Sequence, residues 1–208
     1  MQHKDNMTLV PLIDMINHSS KENIAVSRVE DALEIRATRT IEENEEIMFS
    51  YHSDSCRFWV CEYGFWHQGN EFDDLDISLE IQSIVKGQKT WLESEGYWGL
   101  FLHVILTECR EYTISMDGEV SFRIQVALRS VLVSNVDLVR EFMEGKSDGK
   151  DQQGQVDNIV RKILFEKVKA CKEALAREGP ECIEDEIVRK LWDAELQLAR
   201  IAQGKLTS

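Results

Sequence analysis

The apolar residues of this 208-residue chain change their spacing partway along, and no single-class fold accommodates both patterns. Before Asn70 they come in short runs interrupted by turn residues. Leu33 and Ile35 alternate with Glu34 and Arg36, the period of a half-buried strand. After Asp76 they recur at helical spacing, as at Ile124, Leu128, Val131 and Leu132. The chain therefore reads as α+β, short strands followed by a mainly helical region. The composition shifts between Asn70 and Asp76, which divides the chain into 1–75 and 76–208.

Within the first part, strands are expected over 24–28 and 33–38. The run Glu42-Glu-Asn-Glu-Glu46 reads as a solvated acidic turn, with Asn44 suited to a positive φ. Beyond it, Ile47, Phe49 and Tyr51 fall on one side of a further strand. In the second part, Ile77, Ile81, Ile84, Val85 and Leu92 predict a helix over 75–94. Asp117-Gly118 predicts a hairpin over 112–122. Helices are expected over 123–134 and 155–177, the second stopped by Gly179-Pro180, with a polar loop over 146–154 between them. Val156, Ile159, Ile163, Val168 and Cys171 form the stripe of that second helix. Ile183, Ile187, Leu191, Ala194 and Leu198 mark a last one.

Charge narrows the partners. There are 24 Lys+Arg against 38 Asp+Glu, a net of −14. Residues 1–100 hold 19 acidic and 8 basic side chains, a net of −11, and the remainder has a net of −3. That balance disfavours direct binding of nucleic acid or anionic lipid and favours a basic protein partner. The first six residues lack an apolar signal core, and the longest apolar stretch, 97–106, is interrupted by Gly99 and His103. Neither supports a membrane span. The five cysteines are odd in number, scattered and without a C-x-x-C pair, which suits free thiols in the cytoplasm or nucleus. Cys56 and Cys61 alone are too few ligands for a zinc site, so no metal is expected.

Three clusters carry residue types useful for chemistry. Asp14-Met-Ile-Asn17-His18-Ser19 is by itself a turn or helix cap, or else a buried polar elbow whose amide meets an adenine edge. Ile47-Met-Phe-Ser-Tyr51 ends on a tyrosine at a strand terminus. Glu62-Tyr63-Gly64-Phe65-Trp66 places a glycine between aromatic π faces, with Phe58-Trp59 just before. Each alone is a common structural pattern.

In this order and spacing, D-x-x-N-H-S, E-E-I-x-x-S-Y and Y-G-F resemble the SET-domain protein-lysine methyltransferases. More narrowly, the chain is similar to the C-terminal part of the Rubisco large-subunit methyltransferase type. Residues 9–66 carry the motifs, and 76–208 match the helical substrate-binding region more loosely, best at Asp117-Gly118 and over 122–129. The resemblance implies a SET β-fold of short strands. There the N-H and Y-G-F segments thread as a pseudoknot, bringing Asn17 and Tyr63 to one site. It implies S-adenosylmethionine as cofactor, bound by Asn17 and His18, with Tyr51 as the catalytic tyrosine. Tyr63 would line the lysine channel and Phe65 would pack near the cofactor. The substrate implied is a lysine of a basic protein, ribosomal or histone-like.

The chemistry suits those residue types. Methyl transfer from a sulfonium to an amine is an in-line displacement, so alignment supplies much of the gain. A dry aromatic channel beside a positive charge lowers the amine pKa from its usual value of about 10.4. The chain departs from the family in two places. Cys56 stands where the family has Asn, and no Gly-x-Gly segment occurs in the sequence. The second departure predicts a C-terminal portion of a larger enzyme that, taken alone, binds S-adenosylmethionine weakly. Two other readings are a catalytically inactive SET-derived protein-binding module and an unrelated α+β scaffold.

Overall fold

Residues 9–30, 32–98, 112–177 and 183–207 are described by the computed structural model. Gly179-Pro180, Cys109, Cys182 and most of the apolar stretch 97–106 lie outside them. The chain divides into two units, Met1–Asp54 and Ser55–Ser208. The architecture is α+β.

The first unit is built from short strands. A one-turn 3-10 helix, Ile13–Met15, leads into β1 (Asn17–His18). The hairpin of β2 (Ile24–Val29) and β3 (Ala32–Ala37) is antiparallel, with Val29 opposite Ala32 and Ile24 opposite Ala37. Glu30, at φ 52°, opens its turn. β4 (Met48–Phe49) pairs in parallel with β1, Asn17 opposite Met48 and His18 opposite Phe49.

Two expectations are corrected here. The alternation at Leu33 and Ile35 predicts burial, yet they are 43% and 41% exposed. A two-stranded ribbon buries only the side chains that another element covers, which here includes Ile24 at 3% exposure. The strand expected through Ile47, Phe49 and Tyr51 shortens to two residues, and Ile47 is exposed.

Asn23 joins β4 to the hairpin. It is fully buried. Its backbone N–H donates to the Met48 carbonyl (3.0 Å), while its Oδ1 accepts from the Met48 N–H (2.9 Å). Its Nδ2 donates to the Glu46 carbonyl (2.8 Å) and to Glu45 Oε1 (3.2 Å). A buried amide is tolerable only when satisfied in this way.

The second unit is mainly helical. Its elements are α1 (Cys56–Tyr63), β5 (Asp74–Asp76), α2 (Ser78–Val85), α3 (Lys89–Ser94) and β6 (Thr113–Ser115), then α4 (Phe122–Leu132), α5 (Val136–Met143), α6 (Lys150–Leu175) and α7 (Ile183–Thr207). β5 and β6 pair antiparallel, and their inward residues Leu75 and Ile114 enter one core with Ile81, Leu92, Ile124, Leu128, Val160 and Leu164. α6 and α7 run antiparallel, since Arg161 reaches the Leu206 carbonyl (2.8 Å) and Arg189 the Leu175 carbonyl (3.1 Å).

The expected helix over 75–94 is split. Leu75 belongs to β5, and a 3-10 turn, Lys86–Gln88, separates α2 from α3. The hairpin turn forms with Gly118 at φ 82°, although β6 pairs chiefly with β5. α5 carries no sequence expectation, although Asn135 caps it by accepting from the Asp137 N–H (3.0 Å). The loop expected over 146–154 is helical from Lys150 onward. Gly149, at φ 65°, starts that helix beneath the buried Arg129 guanidinium. Among the described residues, no helix is long and apolar enough to cross a membrane.

Candidate functional site

In the first unit, the site begins with a turn closed by Asp14. Its carboxylate accepts from the Val10 N–H (2.6 Å), and its own N–H donates to the Val10 carbonyl (3.1 Å). Ile16 then turns the backbone extended, at φ −81° and ψ 128°, and delivers Asn17 and His18 to the parallel pairing with β4. Ser19 follows as a turn residue, its Oγ accepting from the Lys21 N–H (3.0 Å).

That pairing brings His18 and Tyr51 together, with Asn17 the residue before His18 in β1. His18 Nδ1 accepts from the Tyr51 backbone N–H (3.2 Å), and the two rings meet edge-on at 5.3 Å. An accepting Nδ1 means a neutral imidazole with its proton on Nε2. The Tyr51 hydroxyl donates to the Ile16 carbonyl (2.6 Å), and Phe49 flanks its ring at 4.9 Å. A hydroxyl whose proton is committed in this way interacts further only as an acceptor, the role an amine N–H requires. Asn17 is exposed rather than set in a buried elbow, because a two-residue strand carries its side chain to the surface. Its Nδ2 donates to Glu46 Oε1 (2.5 Å).

The acidic run is therefore more than a solvated loop. Asn44 takes the expected positive φ, 66°. Glu45, however, is gripped by both Arg39 amino groups (2.5 and 3.1 Å), by the Glu42 N–H (2.9 Å) and by Asn23. The Arg39 hydrogen bond, helped by those of Glu42 and Asn23, holds the Glu45 carboxyl down at about 2. Glu46 carries no functional expectation from the sequence. The signal for it is its place as the second Glu of the E-E-I motif.

In the second unit, Tyr63 is the last residue of α1 and Gly64 ends the helix in the left-handed region, φ 74°. A residue with a β-carbon is strained there, and the turn folds Phe65 back onto the helix. Phe65 stacks on Trp59 at 5.6 Å, and Tyr63 lies 5.4 Å from Trp59 and 6.1 Å from Phe65. Trp59 is buried at 1% exposure, whereas Tyr63 is 49% exposed. The result is an aromatic cluster with one accessible phenol.

Cys56 begins α1. Its N–H donates to Asp73 Oδ1 (2.6 Å) and its thiol to the His67 carbonyl (2.8 Å). Burial, reinforced by the Asp73 charge, pushes that thiol up to about 12, so it stays a proton donor.

Comparisons with known proteins agree with the motifs. The family described as the ribosomal lysine N-methyltransferase 2 C-terminal domain matches residues 73–205, and the SET domain matches residues 1–52. Ribosomal lysine N-methyltransferase set11 of Schizosaccharomyces pombe is 28% identical over 187 residues, covering 82% of this chain and 45% of that protein. Ribosomal lysine N-methyltransferase 2 of Saccharomyces cerevisiae is 28% identical over 179 residues, covering 76% of this chain and 35% of that protein. SET domain-containing protein 8 of Schizosaccharomyces pombe is 44% identical over 59 residues, 27% of this chain and 14% of that protein. The chain thus spans less than half the length of the relatives it matches.

Proposed function

The chain belongs to the SET-domain lysine methyltransferases that carry a ribosomal lysine N-methyltransferase 2 C-terminal domain, and from that premise we propose that it serves S-adenosylmethionine-dependent methylation of a lysine in a basic protein. In this reading residues 1–75 are the C-terminal part of the catalytic domain and 76–208 dock the substrate. A ribosomal protein is the favoured substrate, because the two longer-matching relatives are named for that activity. Ribosomal proteins are basic, and the net of −11 in residues 1–100 attracts such segments. The reaction is assigned to the cytoplasm or nucleus.

The observation that carries the proposal is the contact of His18 with Tyr51 across the β1–β4 pairing, with Asn17 adjoining His18 in the same strand. The donor set fits an adenosyl cofactor. The exposed Asn17 amide, with one N–H given to Glu46, offers one acceptor and one further donor, which suits an adenine edge. When bound, S-adenosylmethionine supplies the methyl group from its sulfonium.

The protein's own residues do the rest. Asn17 and His18 hold the adenosyl end. The Tyr51 phenol, having donated to Ile16, accepts an N–H of the incoming amine and orients its lone pair. Tyr63 is accessible at the edge of its aromatic cluster, and the family resemblance would have it line the lysine path. By the family resemblance, Phe65 would pack near a bound cofactor.

The test is direct. Full-length protein is incubated with S-adenosylmethionine and unmethylated ribosomal proteins, and lysine methylation is mapped by mass spectrometry. Methylation of a specific lysine, lost in Asn17→Ala, is expected. A protein that binds ribosomal proteins without methylating any would instead be a docking module.

A further inference from the structure

We infer that Glu46 is a positioning residue: its carboxylate fixes which way the Asn17 amide faces, and hence how that amide meets the cofactor. This rests on the assignment of Asn17 to the adenosyl end.

The argument starts from the amide. The two ends of an Asn side chain are similar in size but opposite in polarity. Turning the group over exchanges acceptor for donor at small steric cost. Only a neighbour of fixed polarity makes one orientation win. An ionised carboxylate, which accepts and does not donate, is such a neighbour. Glu46 Oε1 takes an N–H of Asn17 Nδ2 at 2.5 Å. The reversed amide would set Oδ1 against that oxygen, lone pair to lone pair. With Nδ2 committed, Oδ1 and the second N–H remain as an ordered acceptor–donor pair. An adenine edge carries its N6 donor and N7 acceptor in one fixed order, so the orientation of the amide decides whether two bonds form or none.

The backbone keeps Glu46 in place for this. Asn17 and Glu46 are 29 residues apart, but Asn17 lies opposite Met48, two residues beyond Glu46. The Glu46 carbonyl accepts from buried Asn23 (2.8 Å), whose Oδ1 takes the Met48 N–H (2.9 Å). On the preceding residue, Arg39 clasps the Glu45 carboxylate. The peptide bearing Glu46 is thus pinned from both sides. Glu46 itself is exposed, so its side chain adds nothing to core packing.

The test is S-adenosylmethionine affinity, measured by titration calorimetry on full-length protein carrying Asn17→Ala, Glu46→Ala, Glu46→Gln or Asn17→Ala with Glu46→Ala. Asn17→Ala is expected to weaken binding about tenfold or more, and Glu46→Ala about three- to tenfold, with no change in thermal midpoint. Glu46→Gln, whose amide presents a donor as readily as an acceptor, loses the fixed polarity and is expected to weaken binding about as much as Glu46→Ala. Glu46→Ala adds nothing on top of Asn17→Ala. Glu43→Ala, in the same turn, leaves affinity unchanged.

Wild-type affinity in Glu46→Ala, or losses that multiply in the double variant, would overturn the inference. If Asn17→Ala has no effect, the cofactor assignment fails and takes the inference with it. The side-chain amide resonance of Asn17 identifies that case, because it still shifts in Glu46→Ala.

Discussion

The phenol of Tyr51 donates its proton to the carbonyl of Ile16 at 2.6 Å, tying the end of one motif to a residue within the other. Thirty-five positions separate the two in sequence. The bond fixes the ring and leaves the oxygen as an acceptor. It also gives Tyr51 a structural share in the site, which any test of its chemistry must separate out.

Asn23 is the polar hinge of the first unit. Its side chain makes three hydrogen bonds, to Met48 N, Glu46 O and Glu45 Oε1, at zero exposure. Asn23→Ala strands the Met48 N–H and the Glu46 carbonyl. It should destabilise this unit by about 2–4 kcal/mol, read by denaturant unfolding.

Glu45 should make the first unit acid-sensitive. The Arg39 hydrogen bond holds its carboxyl at about 2 in the folded unit, against an ordinary 4.5. A depressed carboxyl lends stability that is complete above the free value and is lost as pH falls from about 4.5 through about 2. Glu45→Gln should lower the thermal midpoint at neutral pH and flatten its decline over that acid range. A midpoint that falls as steeply in the variant would place the sensitivity elsewhere.

Gly149 answers to a steric demand in the second unit. At φ 65° a β-carbon there would meet the Phe142 ring at 2.7 Å and the Arg129 guanidinium at 2.8 Å. Arg129 is buried, donates to the Gly149 carbonyl (3.0 Å) and lies over Phe142 at 4.2 Å, so it has little room to yield. Gly149→Ala should cost about 1–3 kcal/mol in thermal or denaturant unfolding.

Thiol reactivity should follow burial. Cys61 is exposed, whereas Cys56 and Cys171 are buried and their thiols are pushed up by desolvation. Among the cysteines of the described residues, timed alkylation with peptide mapping should modify Cys61 before Cys56 and Cys171, which are spared until unfolding. Early labelling of Cys56 would contradict its hydrogen bond to His67.

The motifs were legible in the sequence while their geometry was not. Asn17, His18 and Tyr51 stood out as residue types, but strands of two residues are too short for alternation to reveal their parallel pairing. Leu33 and Ile35 alternate correctly yet are exposed, since period reports a shared face and not what covers it. Glu46 looked like one more solvated carboxylate, because its partner lies 29 residues away. The apolar stripes of α4 and α6 placed most of the helical core. Even there, Val131 is 37% exposed, and Val160 and Leu164 are more deeply buried than Ile159 and Val168. α5 was missed for lack of a long stripe, although its Asn135 cap was readable.

The central claim is that Tyr51 orients the amine for methyl transfer. It is tested most directly by single-turnover methyl transfer from radiolabelled S-adenosylmethionine to ribosomal protein, comparing full-length wild type with Tyr51→Phe. The loss of the Ile16 hydrogen bond should cost about 1 kcal/mol of stability. Cofactor affinity should hold, and the transfer rate should fall about a hundredfold. Transfer at the wild-type rate by a folded, cofactor-binding Tyr51→Phe variant would contradict the account.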